Sequence, residues 1–345
     1  MTETMLPSPT FEPRSTLPPR GFVLPDWTEL KLPPGCQYGR LSQNSQWLTY
    51  FCNPDQHKAY EGWLARISTG KIENPVFLNH VERIGFTPDN SGLIIKKEDN
   101  TWWLVRLPDL SEQHYSLDTF SVPDTLHLNG GLWSPDYSLV AITDVWQNIF
   151  VLSPSERTLR QVVKAPVQNG AQFSWSPNSQ EIAYVEGFFM NGSETMLARV
   201  VNVRSEQSRT LVEDKIFMSG ASWSPDGKWI AVRATDIGLS KTRLLLVNPQ
   251  GDPILIFEYE WRGVEVQDGW QDLAWSPNGS KLALRGGDLQ DRSGVLVIEI
   301  PSGKIVLQTT EHMRPVGWST DSAWLLIQTY DLESKSDILR WIPIQ

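Results

Sequence analysis

A five-residue turn sequence recurs along this chain and constrains its fold more than any other feature. It reads WSPDG at 223–227, with near-copies at 133–137, 175–179, 275–279 and 318–322. Proline fixes φ near −65° at the second turn position. The Asp or Asn that follows can bond neighbouring backbone groups, and Gly, Ser or Asn after it tolerates a left-handed backbone. The recurrence predicts that successive segments of the chain form the same hairpin turn.

The repeat extends beyond the turn and comprises seven units. With the aromatic residue of the turn as position 0, successive units are 42 to 52 residues apart and begin at Leu41, Phe86, Trp133, Trp175, Trp223, Trp275 and Trp318. Positions 7 and 9 are apolar in every unit, as expected for a half-buried strand. A third apolar run follows in each unit and a weaker fourth in most. Four strands per repeat of this length predict an all-β fold, a seven-bladed β-propeller of four-stranded antiparallel blades.

The turn itself is expected to serve the fold rather than to bind a ligand. It joins the first and second strands of each unit, and the Ser or Thr hydroxyl at position 1 can accept a backbone N–H. The aromatic residue at position 0 is expected to fill the space between adjacent blades. Sixteen Trp, 24 Gly and 24 Pro fit a β-rich fold with many short connections.

The last unit needs a strand from the other end of the chain. After Trp318 the sequence reaches only a third strand, DILRWIPI at 337–344. The segment WTELKL at 27–32 has alternating apolar positions and precedes the first turn. We expect it to pair with 337–344 as the outer strand of the last blade, which closes the ring and covers a sheet edge. The predicted division is a Pro-rich irregular arm at 1–24 and a propeller at 25–345.

These repeats resemble the WD40-like PD40 repeats of bacterial TolB-type propellers. The similarity is carried by WSPDGKWIAV from Trp223, WSPNGSKLAL from Trp275 and FSWSPNSQEIAYV from Phe173, and it spans residues 37–345. The resemblance implies a propeller fold and says little about function. The sequence contains neither the Trp-Asp dipeptide of true WD40 blades nor the GxSxG sequence of propeller-bearing peptidases. We also expect neither the separate N-terminal domain nor the signal peptide of TolB. The first unit, LSQNS, lacks both the aromatic residue and the proline.

Composition excludes some classes of partner and leaves the redox state open. The formal charge is −10 and no Lys/Arg-rich run is present, so we expect no nucleic-acid partner. No stretch is apolar enough for a membrane span, and we expect a soluble, cytoplasmic protein. Cys36 and Cys52 match no metal-binding spacing. We expect two ordinary thiols in or near strands, although in an oxidising compartment they could pair.

Candidate binding residues come from the ends of the first strands and from two divergent loops. We expect the residues three and four positions before position 0 to lie at the mouth of the central channel of the propeller. They are either solvated rim residues or, for a subset of them, ligand contacts. The loop at 258–273 places tryptophans among charges, which is typical of recognition surfaces, unless they pack down as a lid. The loop at 185–196 carries a Phe-Phe-Met cluster that is either an interaction patch or local core. The candidates are Arg83, Asn129, Gln172, Arg314, Trp261, Arg262, Glu265, Trp270, Asp272, Phe188 and Phe189.

The sequence favours a non-enzymatic binding or scaffold propeller that engages a protein or peptide partner at the channel face. It would act as a monomer or as part of a larger complex, and we expect no catalytic residue, cofactor or metal. The alternative is a propeller enzyme, a lyase or hydrolase, that acts on a small or carbohydrate-like substrate in the channel. Its candidate residues are His80, Arg83, His127, His312 and Arg314.

Overall fold

Seven four-stranded antiparallel sheets form a ring in the computed structural model of the chain. The predicted fold class and the resemblance to PD40 and WD40-type propellers are confirmed. The part of the chain that the structure describes contains no helix. It comprises residues 21–53, 61–78, 81–87, 90–97, 102–107, 109–115, 129–144, 148–153, 156, 158–164, 173–186, 195–214, 217–236, 241–250, 254–259, 273–287, 293–309 and 313–345.

Each blade runs from an inner first strand to an outer fourth strand, and consecutive strands pair as neighbours. Blade 1 contains β2 (Cys36–Leu41), β3 (Trp47–Cys52), β4 (Glu61–Ser68) and β5 (Lys71–Phe77). Blade 2 contains β6 (Val81–Phe86), β7 (Gly92–Lys97), β8 (Trp102–Arg106) and β9 (Glu112–Tyr115). Blade 3 contains β10 (Asn129–Trp133), β11 (Val140–Thr143), β12 (Ile149–Ser153) and β13 (Thr158–Val163). Blade 4 contains β14 (Ser174–Trp175), β15 (Glu181–Glu186), β16 (Met196–Asn202) and β17 (Ser208–Asp214).

The remaining blades follow the same order, except that the last takes its outer strand from the start of the chain. Blade 5 contains β18 (Phe217–Trp223), β19 (Ile230–Asp236), β20 (Lys241–Val247) and β21 (Ile254–Tyr259). Blade 6 contains β22 (Leu273–Trp275), β23 (Lys281–Gly287), β24 (Ser293–Glu299) and β25 (Ile305–Gln308). Blade 7 contains β26 (Met313–Trp318), β27 (Trp324–Asp331), β28 (Ser336–Pro343) and β1 (Glu29–Lys31).

The ring closes as the alternating apolar pattern predicted. β1 lies antiparallel to β28, with Glu29 opposite Arg340 and Leu30 opposite Leu339. Both leucines are buried, and an ion pair of 2.8 Å joins the Arg340 guanidinium to the Glu29 carboxylate. The contact continues upstream, because the backbone N–H of Phe22 donates to the Trp318 carbonyl at 2.8 Å. The division at residue 24 stays a prediction, since residues 1–20 lie outside the described part.

The recurrent turn has the predicted hydrogen bonds. In blade 5 the Ser224 hydroxyl donates to Asp226 Oδ1 at 2.7 Å and accepts the backbone N–H of Trp229 at 2.9 Å. Asp226 Oδ1 also accepts the N–H of Lys228 at 3.1 Å. The residue at position 4 has a positive φ in all seven turns. These residues are Ser45, Asn90, Tyr137, Ser179, Gly227, Gly279 and Ser322.

Tryptophans at position 0 connect neighbouring blades, as expected. The indole N–H of Trp175 donates to the Leu132 carbonyl of blade 3 at 2.8 Å, and that of Trp318 donates to the Ala274 carbonyl of blade 6 at 2.9 Å. The apolar clusters lie between blades rather than within one. For example, Ala141 and Val151 of blade 3 pack with Ile182 of blade 4. The core is therefore a series of inter-blade layers around the ring.

The expectation of two ordinary thiols was wrong, because Cys36 and Cys52 form a disulfide. Both lie in strands, as expected. The turn of blade 1 sets the register of β2 and β3 so that the two cysteines face each other directly. Cross-strand neighbours at such a position have adjacent Cβ atoms. Cys36 is buried beneath the ring-closing segment, so the disulfide reinforces the blade that lies next to the closure.

Candidate functional site

The channel has two different ends. The first strand of each blade is the inner one, and its last residue leads into the recurrent turn. We call the end with these turns the turn face, and the opposite end, where first strands begin and second strands finish, the strand-start face. In blade 7, Trp318 pairs with Leu325 at the turn face and Arg314 pairs with Gln328 at the strand-start face.

The two faces differ in how regularly their residues repeat. At the turn face, position 1 is a buried Ser or Thr in every blade, and its hydroxyl accepts the backbone N–H of position 6. At the strand-start face, position 10 near the end of the second strand varies in size and charge from blade to blade. Its residues in blades 1 to 7 are Phe51, Lys96, Thr143, Val185, Arg233, Arg285 and Gln328. Basic residues hold three of these positions, although the whole chain is acidic.

A polar cluster surrounds Arg314 where blades 7 and 1 meet. The Arg314 Nε and Nη2 groups donate to Gln328 Oε1 at 3.0 and 2.6 Å. The Gln328 side-chain amide donates in turn to Asp337 Oδ2, which also accepts the backbone N–H of Tyr38 at 2.6 Å. The Arg314 guanidinium carbon lies 5.9 Å from the centroid of the Tyr38 ring, a distance typical of cation–π contact. Two strands of blade 7 and one of blade 1 thus fix the orientation of one guanidinium.

Burial dominates the electrostatics of this cluster. It lowers the pKa of Arg314, and the Arg285 and Arg40 guanidinium groups lower that pKa further, while Asp337 opposes them. Burial also raises the pKa of the Asp337 carboxyl. The Tyr38 N–H, Arg314 and Gln328 favour the anion and lower this pKa, but burial has the larger effect. The distance of 4.0 Å between Arg314 Nη2 and Asp337 Oδ2 makes a long ion pair. The charges that act on Arg314 thus include two other guanidinium groups and the Asp337 carboxylate, which lies at the limit of ion-pair distance.

Of the predicted site residues, Arg314 is the one whose side chain is described. Arg83 lies near the start of the inner strand of blade 2, which begins at Val81, and is opposite Lys96. Asn129 begins the inner strand of blade 3 opposite Thr143. Their backbones lie in the half of these strands toward the strand-start face, and their side chains lie outside the description, so a binding role for them stays a prediction. The other predicted residues also fall outside the described ranges. They are Gln172, Phe188, Phe189, Trp261, Arg262, Glu265, Trp270 and Asp272.

The residues of the alternative enzyme site are largely outside the description as well. His80, His127 and His312 lie outside the described residues, and their convergence with Arg314 stays a prediction. Within the described ranges, no group of three or more His, Cys, Asp or Glu residues is arranged to hold a metal ion. The same ranges contain no helix long and apolar enough to cross a membrane.

Several residues of the cluster were missed by sequence reasoning. The residues predicted from the sequence lie just before position 0 on the first strand, whereas position 10 of the second strand lies directly opposite them. Gln328 and Arg285 occupy that position, and the hairpin register would have placed them at the same end of the channel. Asp337 and Tyr38 come from a third strand and from the next blade. No local sequence pattern identifies either of them.

Two cavities lie elsewhere. One of about 340 Å³ opens at the turn face between blades 5, 6 and 7 and is lined by residues that include Phe22, Pro277 and Trp318. The other, of about 430 Å³, lies between blades 3 and 4 and is lined by Tyr184, Glu186 and Arg199 among others. The Arg199 guanidinium and the Glu186 carboxylate, on neighbouring strands of blade 4, form an ion pair of 2.8 Å on the wall of this cleft.

Comparison with known proteins identifies the fold but not a family. No protein-family model and no curated protein sequence matches the chain. Among solved structures, an oligogalacturonate lyase in complex with manganese is similar, with a TM-score of 0.63, 12% identity and 90% of each chain covered. The Cps50 (Swd1) propeller domain of Myceliophteria thermophila has a TM-score of 0.54 and 13% identity, over 91% of this chain and 99% of that one. A TolB-type protein from Agrobacterium tumefaciens has a TM-score of 0.50 and 17% identity, and the match covers 79% of this chain and 94% of that one.

Proposed function

We propose that this protein is a non-enzymatic binding propeller that engages a protein partner across its strand-start face. The observation that carries the proposal is the contrast between the two ends of the channel. Residues at the turn face repeat from blade to blade and make hydrogen bonds that build the blade. Residues at position 10 do not repeat, so the blade fold does not require them. In repeat proteins such variable positions on one face are available for recognition.

The Arg314 cluster supports this choice of face. Its guanidinium is held by Gln328 and lies above the Tyr38 ring, so little side-chain freedom remains to be lost when a partner binds. Preorganisation of this kind raises affinity because it reduces the entropic cost of association. The closed ring adds rigidity, since β1 completes the last blade. The candidate loops that carry Trp261, Trp270, Phe188 and Phe189 complete the proposed surface.

The alternative, a lyase or hydrolase acting on a small or carbohydrate-like substrate, rests on a narrower basis. Arg314 is one of its five candidate residues and lies at the strand-start end of the channel. A lyase for an acidic sugar shares the propeller fold, and at 12% identity this likeness concerns the fold alone. His80, His127 and His312 would have to converge beside Arg314 for this function. Substrate turnover that is lost in a His127→Ala variant would support it.

The location of the protein is a separate question. A cytoplasmic location remains a prediction from the sequence. The disulfide between Cys36 and Cys52 favours an oxidising compartment, since disulfides persist mainly there. Counting free thiols in protein taken directly from its native cells under alkylating conditions distinguishes the two.

The binding proposal is tested by affinity capture from native cells, followed by binding measurements with the purified partner. The wild-type protein is compared with a Trp261→Ala/Trp270→Ala variant and with Arg204→Gln, which alters an exposed turn residue on the outer part of blade 4. We expect one stoichiometric partner that binds the wild type and Arg204→Gln equally. Loss of binding in the tryptophan variant would place the surface on that loop. If no partner is recovered, or if the purified partner does not bind, the proposal fails and substrate screening follows.

A further inference from the structure

We propose that the outer edge of β21 (Ile254–Tyr259) in blade 5 is a second binding site, where an extended apolar segment of a protein partner pairs with the strand. The segment would add a further strand to the blade. The inference goes beyond the proposed function, because it uses neither the strand-start face nor the Arg314 cluster. It rests on the backbone of one outer strand and on the side chains beside it.

An outer strand has one edge without a neighbour in its own sheet. In blade 5 the strand order is β18-β19-β20-β21, so β21 ends the sheet. Among the described residues, no strand pairs with the outer edge of β21, and no backbone group forms a hydrogen bond across it. Such an edge presents N–H and C=O groups that can pair with another extended chain.

The other outer strands carry features that discourage such pairing. Bulges interrupt the pairing of β5, β13, β17 and β25 with their neighbours. Of the rest, β1 has three residues, two of them charged, and β9 has the polar sequence EQHY. In contrast, β21 pairs with β20 over all six residues without a register shift, and its sequence begins with ILIF. Bulges, shortness and charge are the usual protections of an edge, so β21 is the least protected of these outer strands.

One side of β21 is fixed by blade 6. Leu255, Phe257 and Tyr259 pack against the apolar cluster between blades 5 and 6, and the Tyr259 hydroxyl donates to the Gly303 carbonyl at 3.1 Å. Gly303 lies so close to the Phe257 ring that a Cβ there would collide with it. The strand is thus already held in an extended form, so pairing with it does not require it to be ordered first.

The other side of β21 carries an exposed isoleucine. Ile256 pairs with Leu245, and cross-strand partners point to the same side of a sheet. Leu245 is buried in the cluster that blades 4 and 5 share, whereas Ile256 is 59% exposed. A large apolar side chain is therefore in contact with solvent directly beside the outer edge.

A second exposed isoleucine faces β21 from the next blade. Ile305 lies on β25, the outer strand of blade 6, and pairs with Ile298. Ile298 belongs to the cluster that Phe257 packs against, so Ile305 points toward blade 5, and it is 43% exposed. A strand added to β21 would alternate its side chains between the two sides. One set would contact Ile256, and the other would extend toward Ile305.

These features favour an extended apolar segment as the occupant. Backbone hydrogen bonds along an edge supply affinity, and contacts with alternate side chains supply specificity. Here the two isoleucines select apolar residues. The charged side chain of β21, Glu258, already forms an ion pair of 2.8 Å with Arg243, so it offers no net charge to a ligand.

A second copy of the chain fits the edge less well. Each copy carries a formal charge of −10, which opposes association of two copies. A rigid propeller would also meet this edge along the six residues of β21, whereas stable interfaces use about 20–30 residues on each side. A flexible segment of a partner does not have this restriction, because it can follow the edge and contact both sides.

The test uses the purified full chain and a fluorescein-labelled peptide, KVTITVK, with binding measured by fluorescence anisotropy. The β-branched residues favour an extended backbone, and the lysines and threonines keep the peptide soluble. We expect saturable binding that changes little between about 50 and 300 mM salt, because backbone pairing and apolar contact are not screened as charges are. The charge-matched peptide KSGSGSK should not bind.

Substitutions on β21 locate the site. Ile256→Lys should weaken binding about tenfold or more, because an apolar contact is lost and a lysine on the edge opposes pairing. Leu332→Lys makes the same kind of change on blade 7, at a leucine that is 84% exposed, and should leave the affinity unchanged. Ile256→Thr, a milder change, keeps the inference falsifiable if thermal melting shows that Ile256→Lys is unfolded. Equal affinity of the wild type and the Ile256 variants would overturn the proposal.

Methylated peptides test whether the contact is strand pairing. Successive amides of an extended chain point to opposite edges of the strand. One form of the peptide carries N-methyl groups on the second, fourth and sixth amides, and the other form carries them on the third and fifth. A peptide that pairs through one edge should lose binding in one form and keep it in the other. Equal affinity of the two forms would contradict strand pairing.

Further results separate this inference from the proposed function. If a purified partner binds the wild type and Ile256→Lys equally while KVTITVK does not bind, the binding function stands and the edge site does not. If KVTITVK binds as expected but no partner is recovered, the edge site stands and the proposed function fails. A wild-type dimer in sedimentation equilibrium that is lost in Ile256→Lys would make a second copy the occupant and overturn the assignment to a partner segment.

Discussion

Cys36 and Cys52 face each other on neighbouring antiparallel strands, and their sulfur atoms are bonded. Their Cα atoms are 4.0 Å apart and they are separated by 16 positions in the sequence. The enclosed segment contains the first recurrent turn, LSQNS, which has neither the aromatic residue found in every other turn nor the proline found in most of them. The disulfide therefore constrains the blade with the least typical turn, beside the seam where the two ends of the propeller meet.

Removing this disulfide should destabilise the protein measurably. A cross-link that closes a loop of about 15 residues stabilises by roughly 3 kcal/mol, mainly by restricting the unfolded chain. We expect the Cys36→Ala/Cys52→Ala variant to lose about 2–3 kcal/mol of unfolding free energy, measured by urea denaturation. The variant also provides the control, because a reductant should lower the midpoint of the wild type alone. Equal shifts in both proteins would show that the disulfide contributes nothing.

The cysteine pairing was accessible from the repeat, although the expectation of thiols missed it. Cys36 lies five residues before position 0 of its turn and Cys52 eleven residues after it. In blade 7, residues four before and ten after position 0 face each other, as Arg314 and Gln328 do. Extending that register by one residue in each direction brings the two cysteines opposite each other. Redox state remained beyond reach, because it depends on the compartment as well as on geometry.

The fold was predictable because each blade repeats the same local chemistry. Buried Ser224 and Trp223 have counterparts in other turns, so six similar units in register outweigh the irregular first unit. The Arg314 cluster was only partly predictable. Asp337 and Tyr38 are 299 residues apart and meet because the ring closes. Contacts made by closure depend on the angle between blades and on side-chain burial, neither of which has a periodic signature in the sequence.

The ring-closing strand should contribute strongly to stability through Leu30. This side chain is 2% exposed and packs with Leu339 and Trp341 of the last blade. Truncation of a fully buried leucine costs about 2–5 kcal/mol, so Leu30→Ala should lower the unfolding free energy by that amount. Leu332→Ala is the matched control, because Leu332 is 84% exposed and surface changes usually stay within about 0.5 kcal/mol. Similar losses in the two variants would mean that β1 does not hold the ring closed.

The position 1 hydroxyl of the recurrent turn should be worth more than an ordinary surface hydroxyl. Ser224 is fully buried, and its hydroxyl both accepts the Trp229 N–H and donates to Asp226. Ser224→Ala leaves a buried donor without its acceptor, which costs about 1–3 kcal/mol. Urea denaturation of Ser302→Ala gives the comparison, because Ser302 lies in an exposed turn between strands. A Ser224→Ala variant as stable as Ser302→Ala would refute this role of the turn.

Tyr259 should make the stability of the protein sensitive to alkaline pH. Its hydroxyl donates to the Gly303 carbonyl of the next blade at 3.1 Å, and burial raises its pKa to about 12. A raised folded-state pKa means that the neutral phenol is favoured by folding. The contribution of Tyr259 to the free energy of unfolding is therefore complete below the unfolded-state pKa of about 10. It is lost as pH rises through the folded-state pKa of about 12.

Tyr259→Phe removes both the hydrogen bond and the titration. We expect the variant to be about 0.5–1.5 kcal/mol less stable than the wild type at pH 8, with the difference shrinking above about pH 10 as the unfolded phenol ionises. Urea midpoints of both proteins at several pH values give the curve. Measurements at pH 6 and pH 8 serve as the internal control, because the difference must be the same at both. A difference that stays constant up to pH 11.5 would show that Tyr259 titrates alike in the folded and unfolded protein.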